Sequence, residues 1–451
     1  MLIGFKIKNF RSFNELQHFS MVAGKTRNFP EHIVEKNNIK ILKFSSIYGA
    51  NASGKSNLVL AIDFGKKVLL DNIQKIINNQ YFRLNEVNKD IPSYFEYEIE
   101  KNGKLYSYGF EININQKEIV SEWLIDMTKT NPIVIFERDA IKKTIKTDLK
   151  IKDKNDSDRF NVCKNDMSNN NKIFFLTEMT RRIQMNNANK DNLNDFINVY
   201  DFLINDLQLV LPKQKREIKF NYFSRFKEDI KPLLKKLGLN IEDLVEFESS
   251  MTEIKERMGE SYSELISEIN QIRTQYAQFD ITLRINNCIY TIKGNQSNEE
   301  LTVKAIKLLH NNSKIYFDTY EESDGTLRIL ELIDILLSKD KVFIIDEIDR
   351  SLHPALTVRF IKTFLELLND RNVQLIITTH ESRLLSYNIL RRDEIWFSEK
   401  DVDGSTKLYS LEQFKDDARF DRKIDKAYLD GRYGAIPVFT DFPEVNNENT
   451  N

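Results

Sequence analysis

The chain has 451 residues, 41% hydrophobic and 30% charged, with a formal net charge of −2 and a pI near 6.3. This composition supplies core for two or three domains, and its neutral balance excludes a chain-wide nucleic-acid binder, so any DNA contact has to come from local patches. Two distant cysteines, Cys163 and Cys288, exclude a disulfide framework and a zinc finger; no apolar run is long enough to span a membrane, and the alternating start reads as a strand rather than a signal peptide, so the expected location is cytoplasmic.

In chain order, Ile3, Phe5, Ile7 and Phe10 alternate as a half-buried strand. Residues 41–48 read as a short apolar strand, and Leu58, Val59, Ala61, Ile62 and Leu69 as a helix. Between them lie Gly49, four residues, then Gly54, Lys55 and Ser56, the full phosphate-loop pattern in its required strand–loop–helix context. The glycines let backbone N–H groups curl around a phosphate, the lysine adds charge for the β and γ phosphates, and the serine offers a hydroxyl to Mg²⁺. The helix brings its positive end to the same place. An ATP would rest on Gly49, Asn51, Ser53, Gly54, Lys55, Ser56 and Asn57.

Residues 94–100 and 105–112 alternate about the turn Asn102–Gly103, an expected hairpin, and 119–126 and 133–137 read as two more strands. Residues 141–174 are polar, with lysines offset by aspartates, and are expected to form a solvated loop or hairpin. Residues 175–280 turn helical. One stripe runs from Leu193 to Leu207 with Asp191 or Asn192 as cap, a second covers Phe226, Ile230, Leu233, Leu234 and Leu237 and stops at Gly238, and a third runs from Tyr262 to Tyr276. Strand character returns at 280–293 around the turn signal Asn286–Asn287.

Residues 342–345 are an apolar strand ending in Asp346 and Glu347, the one suited to Mg²⁺ and the other to the attacking water. Ser323 and Gly325 open a helix over 327–337, where a hydroxyl and N–H groups can meet an anion. His380 closes an apolar strand at 374–377. Asp401 and Asp403 sit at the tip of an expected hairpin between 394–398 and 406–410.

Together the phosphate loop, Ser323–Thr326, Ile345–Glu347, Ser351-Leu352-His353-Pro354 and Thr378–His380 resemble the ABC-type ATPase heads of the RecF, SMC and OLD class. The phrases Glu-Ser-Asp-Gly-Thr, Asp-Glu-Ile-Asp-Arg-Ser-Leu-His-Pro and Arg-Arg-Asp-Glu-Ile-Trp-Phe resemble, more narrowly, the stand-alone bacterial AAA-type ATP-binding proteins found in abortive-infection and anti-phage operons. The resemblance covers about residues 1–140 and 280–440. It implies an α/β P-loop NTPase of ABC-ATPase-head type, with a β-rich N-terminal lobe and a compact helical insertion. It divides the chain into 1–140 (first half of the head), 141–174 (polar loop), 175–280 (helical insertion), 281–440 (second half of the head) and 441–451 (disordered tail).

The same resemblance implies roles. Lys55, Ser56, Asp346 and Glu347 act in cis on Mg²⁺-ATP; Ser323 and Gly325 reach the γ-phosphate bound to a second subunit; His380 is the switch histidine and Leu352–His353 the communicating loop. Gln80 is expected to link Mg²⁺ to the helical subdomain. The implied partners are a second copy in a homodimer or higher homo-oligomer and a separately encoded effector, with no membrane. DNA is possible through Lys213, Lys215, Arg216 and the lysines of 231–236, the alternative being a RecF-like DNA-repair ATPase. SMC arms are absent, and Asp401-Val402-Asp403 reads as a turn rather than as a TOPRIM nuclease pair.

Overall fold

In a computed structural model, residues 1–70, 73–185, 193–212, 216–220, 222–297, 300–369, 371–385, 389–414 and 424–436 are described. They fall into two compact units, Met1–Leu209 with Gln374–Asn451, and Val210–Val373. The architecture is mixed α/β with a β-rich N-terminal lobe and helical insertions.

The first unit carries a seven-stranded antiparallel sheet in the spatial order Thr144–Lys146, Ile133–Asp139, Glu118–Asp126, Lys104–Asn113, Ser93–Lys101, Leu2–Lys8, Gln17–Ser20. Its central hairpin closes where expected: Lys101 pairs with Lys104, and Asn102 and Gly103 between them take φ of 52° and 76°, the two-residue turn whose twist matches the strands. On one face Phe95 stacks on Phe64 of the helix Lys55–Leu70 at 5.2 Å, and the Tyr97 hydroxyl donates to the Ile62 carbonyl at 2.8 Å. Burying an aromatic such as Phe64 contributes about 2 kcal/mol, so the sheet fixes the helix that the phosphate loop enters.

The same unit holds a parallel arrangement. Phe44–Tyr48, buried at all five positions, lies between Gln374–Thr378 and Ile395–Lys400, parallel to both, and Thr406–Ser410 pairs antiparallel outside. Its two central serines are buried as well, the Ser45 hydroxyl donating to the Glu394 carbonyl at 3.0 Å. The expected strand 41–48 is in fact two: Ile39–Leu42 pairs with Ile33–Lys36, and the chain changes sheets at Lys43, whose N–H donates to the His32 carbonyl at 2.8 Å and whose carbonyl accepts from Leu375 at 2.9 Å.

The polar stretch 141–174 is not all loop. It contains the helix Lys154–Ser168, capped by the Asp153 side chain and burying Phe160, Cys163 and Met167. Three apolar residues at helical spacing suffice because Phe160 meets Phe175 and Phe196, at 5.8 and 6.3 Å; the abundant Lys and Asn belong to the outer face. The next helix, Phe175–Met185, starts on the buried Glu122, whose carboxylate accepts from the Phe175 and Leu176 N–H groups at 2.6 and 3.0 Å. An anion there satisfies donors that a helix start leaves unpaired. The stripe from Leu193 is shorter than expected: Asn194–Asp201 is α-helical, Phe202–Asp206 is a π-turn, and Leu207–Val210 is a strand. Its expected caps, Asp191 and Asn192, lie outside the described residues, and Leu193 is the N-cap.

The second unit adds strands to the segment read as helical. Its antiparallel sheet runs Arg216–Phe220, Gln278–Ile285, Cys288–Asn295, Thr302–His310, Ile241–Ser249, with Tyr316–Asp318 pairing to Thr302–His310. Asn286 (φ 51°) and Asn287 make the anticipated turn. Ile241–Ser249 escapes a period-two reading because a bulge between Ile241 and Asp243 shifts its register, and because it carries Glu242, Asp243, Glu246 and Glu248. The helices Met251–Met258 and Tyr262–Gln275 bury Ile254, Leu265 and Ile269 in one cluster with Ile281, Leu283 and Ile292 of the sheet. The second stripe is the helix Tyr222–Lys236, followed by Gly238 at φ 81°.

Candidate functional site

The phosphate loop turns from Phe44–Tyr48 into Lys55–Leu70 and is shaped by close approaches. Gly54 has φ 114°, and a Cβ there would collide with the Thr406 hydroxyl; a Cβ on Gly49 would collide with the Ser398 carbonyl and the Ser53 hydroxyl. Only glycine fits either position. The Ser53 carbonyl accepts from Ser398 Oγ at 3.1 Å and Thr406 Oγ1 at 2.8 Å, and Thr406 Oγ1 also reaches Ser12 Oγ, to which Asn57 Nδ2 donates at 2.8 Å. The loop is thus fastened from outside by the turn at residues 10–13 and by the Ile395–Lys400 hairpin. Lys55 Nζ, buried, bonds the Gly49 and Ala50 carbonyls at 2.7 and 3.0 Å. The Ser53 hydroxyl is buried and has no hydrogen-bond partner among the described residues. Asn51 is exposed, and Ser56 and Asn57 are half-buried.

His380 follows Gln374–Thr378, the strand beside the loop strand. Thr378 pairs with Ile47, Thr379 N–H donates to the Ile47 carbonyl at 3.1 Å, and the Tyr48 hydroxyl donates to the Glu381 carbonyl at 3.2 Å. The exposed His380 therefore stands at the same strand end as the loop. Gln80 is tied to the turn that buttresses the loop: its backbone carbonyl accepts from Arg11 N–H at 2.6 Å and its side-chain oxygen from the Arg11 guanidinium at 3.1 Å. A metal contact by Gln80 has to share that oxygen with Arg11.

Asp346, Glu347, Ser323 and Gly325 belong to the second unit. Val342–Ile345 is buried at every position, Asp346 remains buried, and its N–H donates to the Val210 carbonyl at 3.0 Å. Glu347, half-buried, takes φ 53°. A left-handed non-glycine residue costs about 1–3 kcal/mol and persists where its surroundings hold it. The chain then turns through Glu347–Arg350, whose ends are joined at 3.1 Å, and Ser351 (φ 60°), and His353 Nδ1 accepts from Ala355 N–H at 3.2 Å to start the helix Pro354–Glu366. Ser323 is the N-cap of Asp324–Leu332, its Oγ accepting from Thr326 N–H at 3.2 Å. A Cβ on Gly325 would stand 3.2 Å from the Ser351 carbonyl, so this helix start and the turn after Glu347 lie side by side.

Residues 44–386 match the family described as "AAA domain, putative AbiEii toxin, Type IV TA system". The chain belongs to this family. No curated protein matches it. Among solved structures it is similar to the Smc head bound to the C-winged helix domain of ScpA, at 14% identity over 91% of this chain and 97% of that chain with a TM-score of 0.37. It is also similar to the SMC head domain from Thermotoga maritima, at 13% identity over 91% and 98% with a TM-score of 0.35. A third, the Smc head with an extended coiled coil bound to the C-terminal domain of ScpA, derived from Pyrococcus furiosus, has 14% identity over 96% and 98% and a TM-score of 0.37.

ATP is the ligand that membership in an AAA-domain family leads one to expect, and the loop of this family member fits a phosphate: an unpartnered buried hydroxyl at Ser53, a buried ammonium at Lys55, and a glycine cradle at a helix start. Among the described residues no group of three His, Cys, Asp or Glu could hold a metal ion by itself. No helix among the described residues is long and apolar enough to cross a membrane. Of the DNA candidates, Lys213 and Lys215 lie outside the described residues, as does the Arg216 side chain. Lys231 pairs with Asp243 at 2.9 Å and Lys236 with Glu366 at 2.7 Å. Asp401 and Asp403 sit at the hairpin tip, Asp401 N–H donating to the Ser405 carbonyl at 2.8 Å.

Sequence reasoning missed Ser12, Thr406, Arg328, Glu331 and Arg284. The first two carry no local signal. Arg328 and Glu331 do: opposite charges three apart within an apolar helix mark a pair that is buried together.

Proposed function

We propose that this protein is an ATP-hydrolysing regulator whose heads close on one another around ATP, and that it is the ATPase or sensor component of an abortive-infection system with a separately encoded effector. The observation that carries the reading is the phosphate loop, with Lys55 and Ser53 buried in a glycine cradle at a helix start. The family description, which names a toxin of a toxin–antitoxin system, supports the defence role.

In this reading Lys55 leaves the Gly49 and Ala50 carbonyls for the β and γ phosphates, and the loop N–H groups bond their oxygens. Ser56 and Asp346 would hold Mg²⁺, which would supply charge neutralisation for the phosphates. Glu347 orients the attacking water and accepts its proton, and His380 hydrogen-bonds the γ-phosphate. Ser323 and Gly325 present a hydroxyl and a helix start to the nucleotide held by a second copy. Hydrolysis then removes what joins the two heads and the effector is released.

The test is the solution mass of Glu347→Gln, purified with its neighbouring gene product, with and without ATP. This variant keeps binding and stalls turnover, so the expected result is doubling with ATP. A mass that ATP leaves monomeric sinks the sandwich. Lys55→Ala should abolish doubling, turnover and phage protection together; protection that survives it removes ATP from the mechanism.

A further inference from the structure

Three charged side chains behind Glu347 lie outside this scheme. Arg328 is 7% exposed on the helix Asp324–Leu332. Its Nη2 donates to the Glu347 backbone carbonyl at 3.1 Å and its Nη1 to Glu331 Oε2 at 2.8 Å. The other oxygen of Glu331 accepts from Arg284 Nη2 at 2.7 Å, and Arg284 comes from the strand Gln278–Ile285. Burial alone would raise the Glu331 carboxyl, but Arg284 and Arg328 outweigh it and hold the group below its ordinary value, so it stays charged between them.

We propose that Arg328 is a positioning residue for hydrolysis: it holds the Glu347 backbone in its left-handed conformation and ties the aim of that carboxylate to the helix that begins at Ser323. The proposal rests on the ATPase reading above. Glu347 is fixed on both flanks. On one, Asp346 N–H is bonded to Val210; on the other, the Glu347 carbonyl accepts from Arg350 N–H at 3.1 Å and from Arg328. Arg328 is the charged donor of the pair, and a charge-assisted bond out of water is the stronger. Without it the Glu347 carbonyl loses its charged donor and keeps the neutral bond from Arg350 N–H, and Glu347 relaxes toward backbone conformations that L-residues favour. Ser323 and Arg328 are joined by continuous helix, so a shift at the helix start on meeting a second copy's nucleotide moves the guanidinium too. Glu331 and Arg284 brace that guanidinium from behind.

The experiment uses the full chain and compares Arg328→Met, Arg328→Lys and a control, Arg371→Met. Arg371 also donates to backbone carbonyls, those of Ile335, Leu336 and Ser338, but to none in the turn after Asp346. The readouts are kcat and KM for ATP, and amide hydrogen exchange across residues 345–352. Arg328→Met is expected to lower kcat about tenfold or more with KM changed by less than about threefold, because the interaction belongs to the chemical step rather than to nucleotide binding. Exchange at 346–351 should quicken. Arg328→Lys, which reaches the carbonyl but cannot also grip Glu331, should fall between, and it serves if the Met variant does not fold. Arg371→Met should lower stability without either effect. Unchanged kcat and exchange in Arg328→Met, or equal losses in Arg371→Met at matched stability, overturn the proposal. A wild-type chain without turnover fells the ATPase reading instead, and the exchange comparison still decides whether Arg328 holds Glu347.

Discussion

Two of the candidate residues, one in each unit, are held in backbone states that their neighbours dictate. Gly54, at φ 114° against Thr406, has no room for a methyl group; Gly54→Ala is expected to weaken ATP binding at least ~100-fold, because the loop has to open to admit the Cβ. Binding of a fluorescent ATP analogue measures it, and near-native affinity would show a more yielding loop. Glu347 makes the opposite case. At φ 53° it is strained, so Glu347→Gly should abolish turnover while stabilising its unit by about 1 kcal/mol, seen as a melting midpoint raised by a few degrees. A lower midpoint would mean that the glutamate side chain contributes more than its backbone costs. The strand, glycine turn and helix around Gly54 and the strand that ends before Asp346 were legible in the sequence because each is a contiguous pattern. Ser12 and Thr406 were not: they are 394 positions apart, and nothing in either neighbourhood announces the bond between them.

At the scale of elements, the strand that carries His380 is secured by one side chain. The buried Gln374 accepts from Leu2 N–H at 2.6 Å and donates to the Leu2 and Leu42 carbonyls at 2.9 and 2.8 Å, joining three strands of the first unit. Gln374→Ala leaves those three backbone groups buried without partners, and at about 1–3 kcal/mol each the expected loss is ~3 kcal/mol or more. Urea unfolding measures it; a loss below 1 kcal/mol would mean that water replaces the amide. Strands with strict alternation and an Asn–Gly or Asn–Asn turn were readable from sequence. The helix Lys154–Ser168 and the strand Ile241–Ser249 were not, the first because its apolar face is three residues wide, the second because a bulge breaks its period. Both depend on partners supplied by distant chain: Phe175 and Phe196 for the helix, Thr302–His310 for the strand.

Across the whole molecule, near-neutral charge hides local imbalances that pH can expose. In the first unit a hydrogen bond from His18, then the ion pair with Lys6, outweigh burial and hold the Glu98 carboxyl at about 2, against an ordinary 4.5. A depressed folded value means that Glu98 adds stability above the unfolded value and loses it as pH falls from 4.5 toward 2. Glu98→Gln should therefore melt below wild type at pH 7, with the two curves converging near pH 2; a gap that persists in acid would assign the effect to shape rather than charge. The chain divides into one contiguous unit and one assembled from both ends of the chain. That division has a consequence for synthesis. Among the described residues the loop strand Phe44–Tyr48 pairs with Gln374–Thr378 and Ile395–Lys400. A ribosome that has delivered the first three hundred residues has made the entire phosphate-loop sequence and neither of the strands that flank it. The loop strand therefore stays without its flanking strands until residues 374–400 have been made, and a message cut short before them yields fragments in which the loop has no strand beside it.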